Sequence, residues 1–252
     1  LHAKNYTLQT NVKGVILAGG TGSRMHPLTV VTNKHLLPLY NKPVICHPIE
    51  KLVEAGVRDI LIITSNEYNH HFVRLLDDGS QFGARLQYEI QSGPNGIADA
   101  LRLAEKFAAG EKVAVVLGDN IFEDSLAESV KKFQTMKGAA VFVKKHENAR
   151  DYGVVELKDG KVFDIEEKPL HPKSDLCATG IYLYDPDVFE IAKKLKPSKR
   201  GEYEITDINR AYLQEGKLYH FMLTGEWFDC GNFNYLLKAN LFIARKFHQF
   251  DA

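Results

Sequence analysis

The sequence predicts an α/β fold in which helices flank a mixed, mostly parallel sheet. Three short apolar runs indicate buried strands: 12–18 (VKGVILA), 59–65 (DILIITS) and 112–119 (KVAVVLGD). Continuous Val, Ile and Leu runs, unlike alternating ones, are typical of strands that are covered on both faces. Helical patterns lie between these runs, and strands that alternate with helices form parallel sheets through right-handed crossovers.

Two of the intervening segments have apolar residues at helical spacing. They are 44–56 (VICHPIEKLVEAG) and 96–110 (GIADALRLAEKFAAG). Each apolar stripe is followed by a glycine at the position where helices commonly end. We therefore expect one helix in each segment, the second running without a break to the residues before Gly110.

The second half of the sequence has a different character. Residues 153–169 read as two strands joined by Asp159–Gly160, a dipeptide that tolerates the positive φ angles of a tight hairpin turn. Residues 177–185 (CATGIYLYD) are a further strand, and Pro186 opens a helix. Thr206 has the side chain to cap another helix. We expect this half to be inserted against the first.

Composition and charge exclude several classes of protein. The chain has 252 residues with 32 basic and 32 acidic side chains and a pI near 7.3, so no overall field draws it to nucleic acid or to an anionic membrane. No apolar run approaches a membrane span of about 20 residues, and the first residues lack a secretory pattern. The three cysteines form no CxxC pair, which indicates a reducing, cytoplasmic location and no zinc framework.

The first strand leads into a glycine-rich loop, LAGGTGSR, at 17–24. Glycines in a strand-to-helix turn let consecutive N–H groups approach one anion, because no Cβ blocks the way. Arg24 and Lys34 add two positive charges nearby. The loop therefore predicts a phosphate-binding site, and the alternative is a turn kept glycine-rich only for packing.

Two familiar phosphate-binding motifs do not fit this loop. A Walker loop that starts at Gly14 requires Lys after Gly19, where the sequence has Gly20. A dinucleotide fingerprint that starts at Gly20 requires Gly at the position of Met25. P-loop ATPases and simple dehydrogenases are therefore disfavoured.

Two aspartates are candidate metal ligands. Asp119 follows the buried strand VAVVLG, and ligands of open α/β sheets bind outside such strand ends. A carboxylate there suits Mg²⁺, which takes one or two carboxylates together with phosphate oxygens and water. Asp229, in GEWFDCG, is the second candidate. The alternative for Asp119, which precedes Asn120, is an ordinary turn or helix cap.

The segment Glu167–Lys168–Pro169 offers a positive charge for a phosphate. A residue before proline disfavours the helical region, so we expect Lys168 to be extended and to project reproducibly into a cleft. A fixed ammonium group is a suitable partner for a sugar phosphate, whereas an isolated EEKP is more often a solvated turn.

Taken together, these segments resemble the bacterial sugar-1-phosphate nucleotidyltransferases. The similarity extends from Lys13 to about Leu241 through nine segments in the same order: KGVILAGGTGSR, TNKHLLPLYNKP, QSGPNGIADA, LGDN, DYGVVE, EEKP, TGIYLYD, PSKRGEYEITDIN and WFDCG. Any one segment could be accidental, but nine in order indicate the family. The resemblance implies a Rossmann-like nucleotidyltransferase fold.

The resemblance also implies a reaction. A nucleoside monophosphate passes from a nucleoside triphosphate to a sugar 1-phosphate, pyrophosphate is released, and Mg²⁺ assists. KHLLP and RGEYEITDIN are most similar to the thymidylyl-transferring group, which implies dTTP and glucose 1-phosphate as substrates. The chain stops soon after Phe247, so the resemblance implies a short form without the C-terminal helical extension of longer relatives and with weak or absent feedback. Homo-oligomerisation is left open.

The resemblance assigns roles to individual positions. The residues implied in nucleotide binding are Gly19, Gly20, Thr21, Gly22, Ser23, Arg24, Lys34, Gln91 and Gly96. Those implied at the sugar phosphate are Tyr152, Gly153, Glu167, Lys168 and Thr179. Those implied in catalysis are Arg24, Lys34 and Lys168, with Asp119 and Asp229 as the Mg²⁺ ligands.

The same resemblance divides the chain into parts. Residues 1–11 are an extension that we expect to lie outside the fold, and 12–252 form a single domain. Within it, about 12–120 is the nucleotide-binding half, about 121–231 the sugar-phosphate-binding half and about 232–248 a C-terminal helix.

Four positions depart from the family's usual residues and leave the substrates open. Asn95 and Ile97 replace the Asp and Leu of the usual Pro-Asp-Gly-Leu-Ala, and His35 and Asp99 each stand where Gln is frequent. UTP or another triphosphate with a different sugar 1-phosphate is therefore an alternative pair of substrates. A non-catalytic subunit that binds nucleotide sugars is the alternative outside enzymes.

Overall fold

The computed structural model describes residues 10–247. Most of the predicted N-terminal extension and the last predicted residue of the C-terminal helix lie outside this range. Thr10 lies inside it and contacts the main body, because its N–H donates to the Gly56 carbonyl over 3.4 Å.

The described residues form thirteen strands. They are β1 Lys13–Ala18, β2 Pro38–Leu39, β3 Lys42–Pro43, β4 Asp59–Ser65, β5 Arg85–Gln91, β6 Val113–Leu117, β7 Asn120–Phe122, β8 Ala139–Lys145, β9 Gly153–Lys158, β10 Lys161–Glu167, β11 Leu176–Tyr184, β12 Leu218–Met222 and β13 Trp227–Asp229. The predicted strands at 12–18, 59–65, 112–119 and 177–185 are thus confirmed to within two residues, whereas β5 and β8 were not predicted.

Eight α-helices accompany the strands within the same range. They are α1 Cys46–Glu54, α2 Asn69–Leu76, α3 Ile97–Arg102, α4 Glu105–Ala108, α5 Ala127–Phe133, α6 Asp187–Lys194, α7 Ile205–Gln214 and α8 Phe233–Lys246. The longest has 14 residues, and none of these helices is long and apolar enough to cross a bilayer.

Nine strands form one mixed sheet in the order β10-β9-β11-β6-β1-β4-β5, with β8 beside β11 and β12 beside β8. Its parallel centre is β6-β1-β4-β5, and β11 joins that centre by pairing antiparallel with β6. From β1 the chain adds β4 and β5 on one side and β6 on the other. The carboxyl ends of β1 and β6 therefore flank the crevice in which open α/β sheets bind their ligands.

The two faces of the sheet are covered by separate apolar layers. On β1, Val15 and Leu17 pack into one buried cluster, while Ile16 and Ala18 pack into the other. This alternation explains the unbroken apolar run, because a strand covered on both faces has no solvent side for polar residues. The prediction of a doubly covered sheet is confirmed.

Two helix predictions need correction. The segment 96–110 is not one helix: the N–H groups of Leu103 and Ala104 bond three residues back, and this tighter turn separates α3 from α4. Thr206 does not cap α7, which begins one residue earlier with Glu204 at its N-cap. The hydroxyl of Thr206 instead donates a hydrogen bond to Glu167 of β10, as described below.

The hairpin prediction is confirmed in detail. β9 and β10 pair antiparallel across Asp159 and Gly160, whose φ angles are 51° and 72°. Positive φ at both central residues is the geometry that favours Asp-Gly in two-residue hairpin loops.

Strand β11 changes partners at an irregularity that opens space for the site. Its register against β8 shifts between Ala178 and Tyr182, and Gly180 inside the shift has φ 70°. A Cβ at Gly180 would lie 2.8 Å from Cδ1 of Leu117. Only glycine therefore fits both the backbone conformation and the close approach to β6.

The two glycines of similar φ provide a matched test. Gly160→Ala places a Cβ in open space, so we expect only the conformational penalty of about 1–2 kcal/mol. Gly180→Ala adds the contact with Leu117, so we expect a loss larger by about 1–3 kcal/mol. Urea unfolding of both variants measures the difference, and equal losses would contradict the role given to Gly180.

Candidate active site

One cavity of about 340 Å³ lies at the carboxyl ends of β1 and β6. Most residues that the sequence singled out line it: Gly19, Gly20, Thr21, Arg24, Lys34, Gln91, Gly96, Asp119, Tyr152, Gly153, Glu167, Lys168, Thr179 and Asp229. Gly22 and Ser23 are not in its lining. Residues from both halves of the chain therefore meet in one place, as the order of the strands requires.

The glycine loop is open toward the cavity. A Cβ at Gly19 would lie 3.1 Å from Gln91 Oε1, and one at Gly20 would lie 3.5 Å from Cε of Lys34. Gly22 has φ 67° and turns the chain into a 3-10 turn at Ser23–Met25, which carries Arg24. The loop's backbone is thus accessible to a ligand, and Gly22 shapes the loop from behind.

The short ribbon of β7 and β13 brings the two candidate metal ligands together. Asp229 pairs in register with Asn120, the neighbour of Asp119 in the chain. The N–H of Cys230 donates to the Asp119 carbonyl over 2.9 Å, and the N–H of Gly231 donates to Asp229 Oδ1 over 3.1 Å. Two carboxylates that are 110 positions apart in sequence therefore lie close together, with Asp229 at the end of β13 and Asp119 directly before its partner strand β7.

Cations compensate these carboxylates unequally. Burial alone would raise the pKa of Asp119, but Lys34, which bonds its Oδ2 directly, holds that pKa well below its usual range. For Asp229, burial and the charge of Asp119 raise the pKa to about 6, and Lys34 and Arg24 offset this only in part. The site therefore retains uncompensated negative charge on Asp229.

These two carboxylates fit a magnesium ion. Mg²⁺ accepts one or two carboxylates and takes its other ligands from phosphates and water. Among residues 10–247 no group of three or more His, Cys, Asp or Glu side chains could hold a metal by itself, which is compatible with a site completed by substrate. A divalent cation would relieve the repulsion that raises the pKa of Asp229.

On the other side of the cavity, Glu167 is held by Thr206. The Thr206 hydroxyl donates to Glu167 Oε2 over 2.5 Å, and a Cβ at Gly153 would lie 3.3 Å from that hydroxyl oxygen. The lack of a side chain at Gly153 therefore leaves room for this bond. The sequence had suggested a capping role for Thr206, and its hydroxyl instead orients a residue of the site.

Lys168 is not extended, as the following proline had led us to expect. Its φ is 44°, in the left-handed region, and its N–H donates to the Tyr152 carbonyl over 3.0 Å. That bond prolongs the end of the hairpin and outweighs the preference that the proline imposes. The Lys168 side chain remains 46% exposed, with Nζ 3.9 Å from Glu167 Oε1, and is available to a ligand.

Several lining residues were not assigned to the site from the sequence. His35 is buried, and both its backbone N–H and its ring Nδ1 contact Asn33 Oδ1. Burial and Lys34 lower the pKa of His35 to about 3, so it is neutral beside that cation. Trp227 packs edge-on against Tyr152 at 5.2 Å and donates to Asn120 over 2.6 Å, so it both packs and lines the cavity. The signals in the sequence were the segments TNKHLLPLYNKP and WFDCG, which contain His35 and Trp227.

Comparison with known proteins identifies the family. The profile of the family described as Nucleotidyl transferase matches residues 13–246, nearly all of the described chain. The chain belongs to the nucleotidyl transferase family. Like other members, this nucleotidyl transferase has an α/β fold with a central mixed sheet.

Individual relatives are similar over most of their length. A Mycolicibacterium smegmatis protein named glucose-1-phosphate thymidylyltransferase is 45% identical over 236 residues, 92% of this chain and 82% of that protein. A protein of the same name from Neisseria meningitidis serogroup A is 45% identical over 238 residues, with the same coverage of both chains.

Two solved structures resemble this nucleotidyl transferase. A Bacillus anthracis protein provisionally assigned as a glucose-1-phosphate thymidylyltransferase, crystallised with sucrose, has a TM-score of 0.88 at 45% identity and covers 92% of this chain and 94% of its own. A UDP-glucose pyrophosphorylase in complex with UDP-glucose has a TM-score of 0.82 at 26% identity, over 93% of this chain and 99% of its own.

The raised pKa of Asp229 predicts an effect on stability. Because this pKa rises from 3.8 to about 6 on folding, the group's contribution to stability is fully present below pH 3.8 and is lost as pH rises through 6. Asp229→Asn avoids that loss and can still accept from Gly231. We expect the metal-free variant to be more stable than wild type by about 1–3 kcal/mol at pH 7.5 and equal to it at pH 4.

Chemical unfolding at both pH values in the presence of a chelator measures this difference. Asp175→Asn, at an exposed carboxylate paired with Lys145, is the control and should shift stability by less than about 0.5 kcal/mol. A variant at Asp229 that is no more stable than wild type at pH 7.5 would contradict the electrostatic account.

Proposed function

We propose that the protein catalyses Mg²⁺-dependent transfer of the thymidylyl group from dTTP to glucose 1-phosphate, giving dTDP-glucose and pyrophosphate. The observation that carries this proposal is the cavity itself, where the glycine loop, two acids and Lys168 converge. Relatives 45% identical over 92% of the chain are named for this activity.

On this proposal the nucleotide occupies the side of the cavity formed by the first half of the chain. The backbone of Gly19 and Gly20 receives the triphosphate, with Arg24 and Lys34 as its positive partners. N–H groups and cations that are fixed before the ligand arrives lose little free energy to reorganisation when charge develops. Gln91 and the backbone of Gly96 contact the base.

The sugar phosphate occupies the opposite side, formed by the second half. Lys168 pairs with its phosphate, while Glu167, held by Thr206, accepts from sugar hydroxyl groups. Tyr152 and Thr179 lie beside it in the cavity lining. In this proposal the two walls belong to the nucleotide-binding half, about 12–120, and the sugar-phosphate-binding half, about 121–231.

The chemistry requires alignment more than proton transfer. A phosphate oxygen of glucose 1-phosphate, already anionic at neutral pH, attacks the α-phosphorus of dTTP. A new phosphorus–oxygen bond forms, the bond to the bridging α–β oxygen breaks, and pyrophosphate leaves with that electron pair. No general base is needed, so the role of the side chains is to hold the two phosphates in line and to stabilise charge.

Asp119 and Asp229 would hold the magnesium ion. When bound, Mg²⁺ supplies positive charge to the phosphate oxygens. Lys34 forms an ion pair with Asp119. Its positive charge would therefore act both on that carboxylate and on a phosphate that binds beside it. Arg24 lies on the side of Asp229, since a Cβ on Gly231 would be 2.8 Å from Arg24 Nη2 and 3.0 Å from Asp229 Oδ1.

Pyrophosphate release tests the proposal directly. The purified protein is supplied with Mg²⁺, glucose 1-phosphate and one triphosphate at a time, and we expect the highest kcat/KM with dTTP. UTP is the specific alternative, because thymine and uracil share one hydrogen-bonding edge and differ by a methyl worth only about 1–3 kcal/mol. The absence of release with every triphosphate and sugar 1-phosphate would favour a non-catalytic subunit.

We expect a cytoplasmic site of action. The thiols of Cys46, Cys177 and Cys230 are free and buried, as in proteins that fold in a reducing compartment.

Removing the Arg24 guanidinium should reduce turnover. Because this group is proposed to stabilise charge that develops on the phosphates, we expect Arg24→Ala to lower kcat by roughly 10² or more. Arg74→Ala, an exposed arginine of α2 outside the cavity, is the control and should leave kcat unchanged. Steady-state rates of pyrophosphate release measure both, and near-normal turnover of folded Arg24→Ala would refute the role.

Thr206 should affect the sugar side selectively. Thr206→Val keeps the side chain's shape but removes the donor to Glu167, so we expect KM for glucose 1-phosphate to rise about tenfold while KM for dTTP stays constant. Thr206→Ser keeps a hydroxyl and should remain close to wild type. Initial rates over a range of each substrate give the comparison, and a serine variant as impaired as the valine one would argue for a packing role only.

A further inference from the structure

Gln91, at the end of β5, has its amide orientation fixed by Asp99 in the first turn of α3. The Gln91 side-chain nitrogen donates to Asp99 Oδ2 over 3.0 Å and to the Gly96 carbonyl over 3.1 Å. Gln91 is only 8% exposed, so both bonds are sheltered from bulk water. The two hydrogens of this amide group thus each have a partner within the protein.

Only one orientation of the amide is compatible with these partners. A carboxylate and a backbone carbonyl are both acceptors, so the group that faces them must be the NH₂. The carbonyl Oε1 then faces the other way, on the side of Gly19, where a Cβ would lie only 3.1 Å from it. Gln91 and Gly19 both line the cavity, so the side chain presents an acceptor there.

Asp99 is itself held in place from two directions. Asn95 Nδ2 donates to Asp99 Oδ2 over 3.3 Å, and Arg102 Nη1 lies 3.6 Å from the other oxygen. Arg102 is also stacked 4.1 Å over the ring of Tyr203. The carboxylate is therefore anchored by the loop before α3 and by the helix's own next turn. An uncharged amide at position 99 could both donate and accept, and would leave the Gly96 carbonyl as the one obligatory acceptor that orients Gln91.

We propose that Asp99 is a positioning residue for base selection: by presenting Gln91 as an acceptor, it favours bases with a ring N–H at position 3. This rests on the proposed function, in which Gln91 contacts the pyrimidine. Thymine and uracil carry a donor at N3, whereas cytosine has a lone pair there that would oppose Gln91 Oε1. A site that must leave a buried polar group unpaired rejects a ligand far more strongly than one that merely loses a contact.

Binding of nucleoside diphosphates tests this without turnover. Calorimetric titration of the full chain with dTDP, dCDP and N3-methyl-dTDP gives three affinities for wild type and for Asp99→Asn. The variant keeps the size of the side chain and removes one of the two obligatory acceptors that orient the Gln91 amide. Glu105→Gln, on the exposed face of α4 next in the chain, is the matched acid-to-amide control.

We expect wild type and Glu105→Gln to bind dTDP at least about tenfold more tightly than dCDP, since one mismatched hydrogen bond typically changes affinity by about that factor. In Asp99→Asn, where the Gly96 carbonyl still favours one orientation, we expect this ratio to fall at least about twofold, mainly through tighter binding of dCDP. A purely structural role would weaken both ligands together and leave the ratio unchanged.

Three results would overturn the inference: an unchanged dTDP:dCDP ratio in Asp99→Asn, equal binding of the two ligands by wild type, or N3-methyl-dTDP binding to wild type as tightly as dTDP. The last two need no variant, so the inference is testable even where Asp99→Asn fails to fold. Failure of the proposed function is distinct, because it appears as absent pyrophosphate release whatever the binding ratio.

Discussion

The site depends on keeping two buried carboxylates next to each other. Like charges at close range are unfavourable away from water, and the fold accepts them because the β7–β13 ribbon fixes Asn120 against Asp229 by backbone pairing. Lys34 offsets much of the repulsion at Asp119, but the pKa of Asp229 stays raised. Two adjacent carboxylates are unfavourable without a cation and would become favourable when one binds. Such a pair can lower the stability of the metal-free protein and still serve function.

Residues with positive φ lie in the lining of this cavity, as they also do elsewhere in the described chain. Gly180 sits in the irregular stretch of β11, and Lys168 has a left-handed backbone although it is neither glycine nor asparagine. Gly180 lies within β11 and Lys168 directly follows β10, and both line the cavity. The surrounding hydrogen bonds impose these backbone conformations, as the bond from the Lys168 N–H to the Tyr152 carbonyl does. The stability of the regular part of the sheet offsets their conformational free energy.

The sequence was informative where a local rule decides the structure and less so where distant segments compete. Apolar runs and the Asp-Gly turn predicted the strands and the hairpin because their physics is local. The proline rule was wrong for Lys168 because a long-range hydrogen bond outweighs it. Thr206 is similar: its hydroxyl could cap its own helix or bind Glu167, 39 positions away, and only the packing of α7 against β10 decides. The orientation of the Gln91 amide depends on geometry that sequence order does not contain.

The two walls of the cavity are not independent of each other. The N–H of Tyr203 donates to the Asn95 carbonyl over 2.8 Å, and its carbonyl accepts from Ala98 over 3.0 Å, so the segment before α7 is bonded to the loop proposed to contact the base. A Cβ at Gly96 would lie 2.6 Å from the Tyr203 carbonyl, which leaves this junction no room to slide. Three residues further along, Thr206 holds Glu167 on the side proposed to bind the sugar. One short segment thus fixes the base loop and the sugar wall relative to each other, as in-line transfer between two bound phosphates requires.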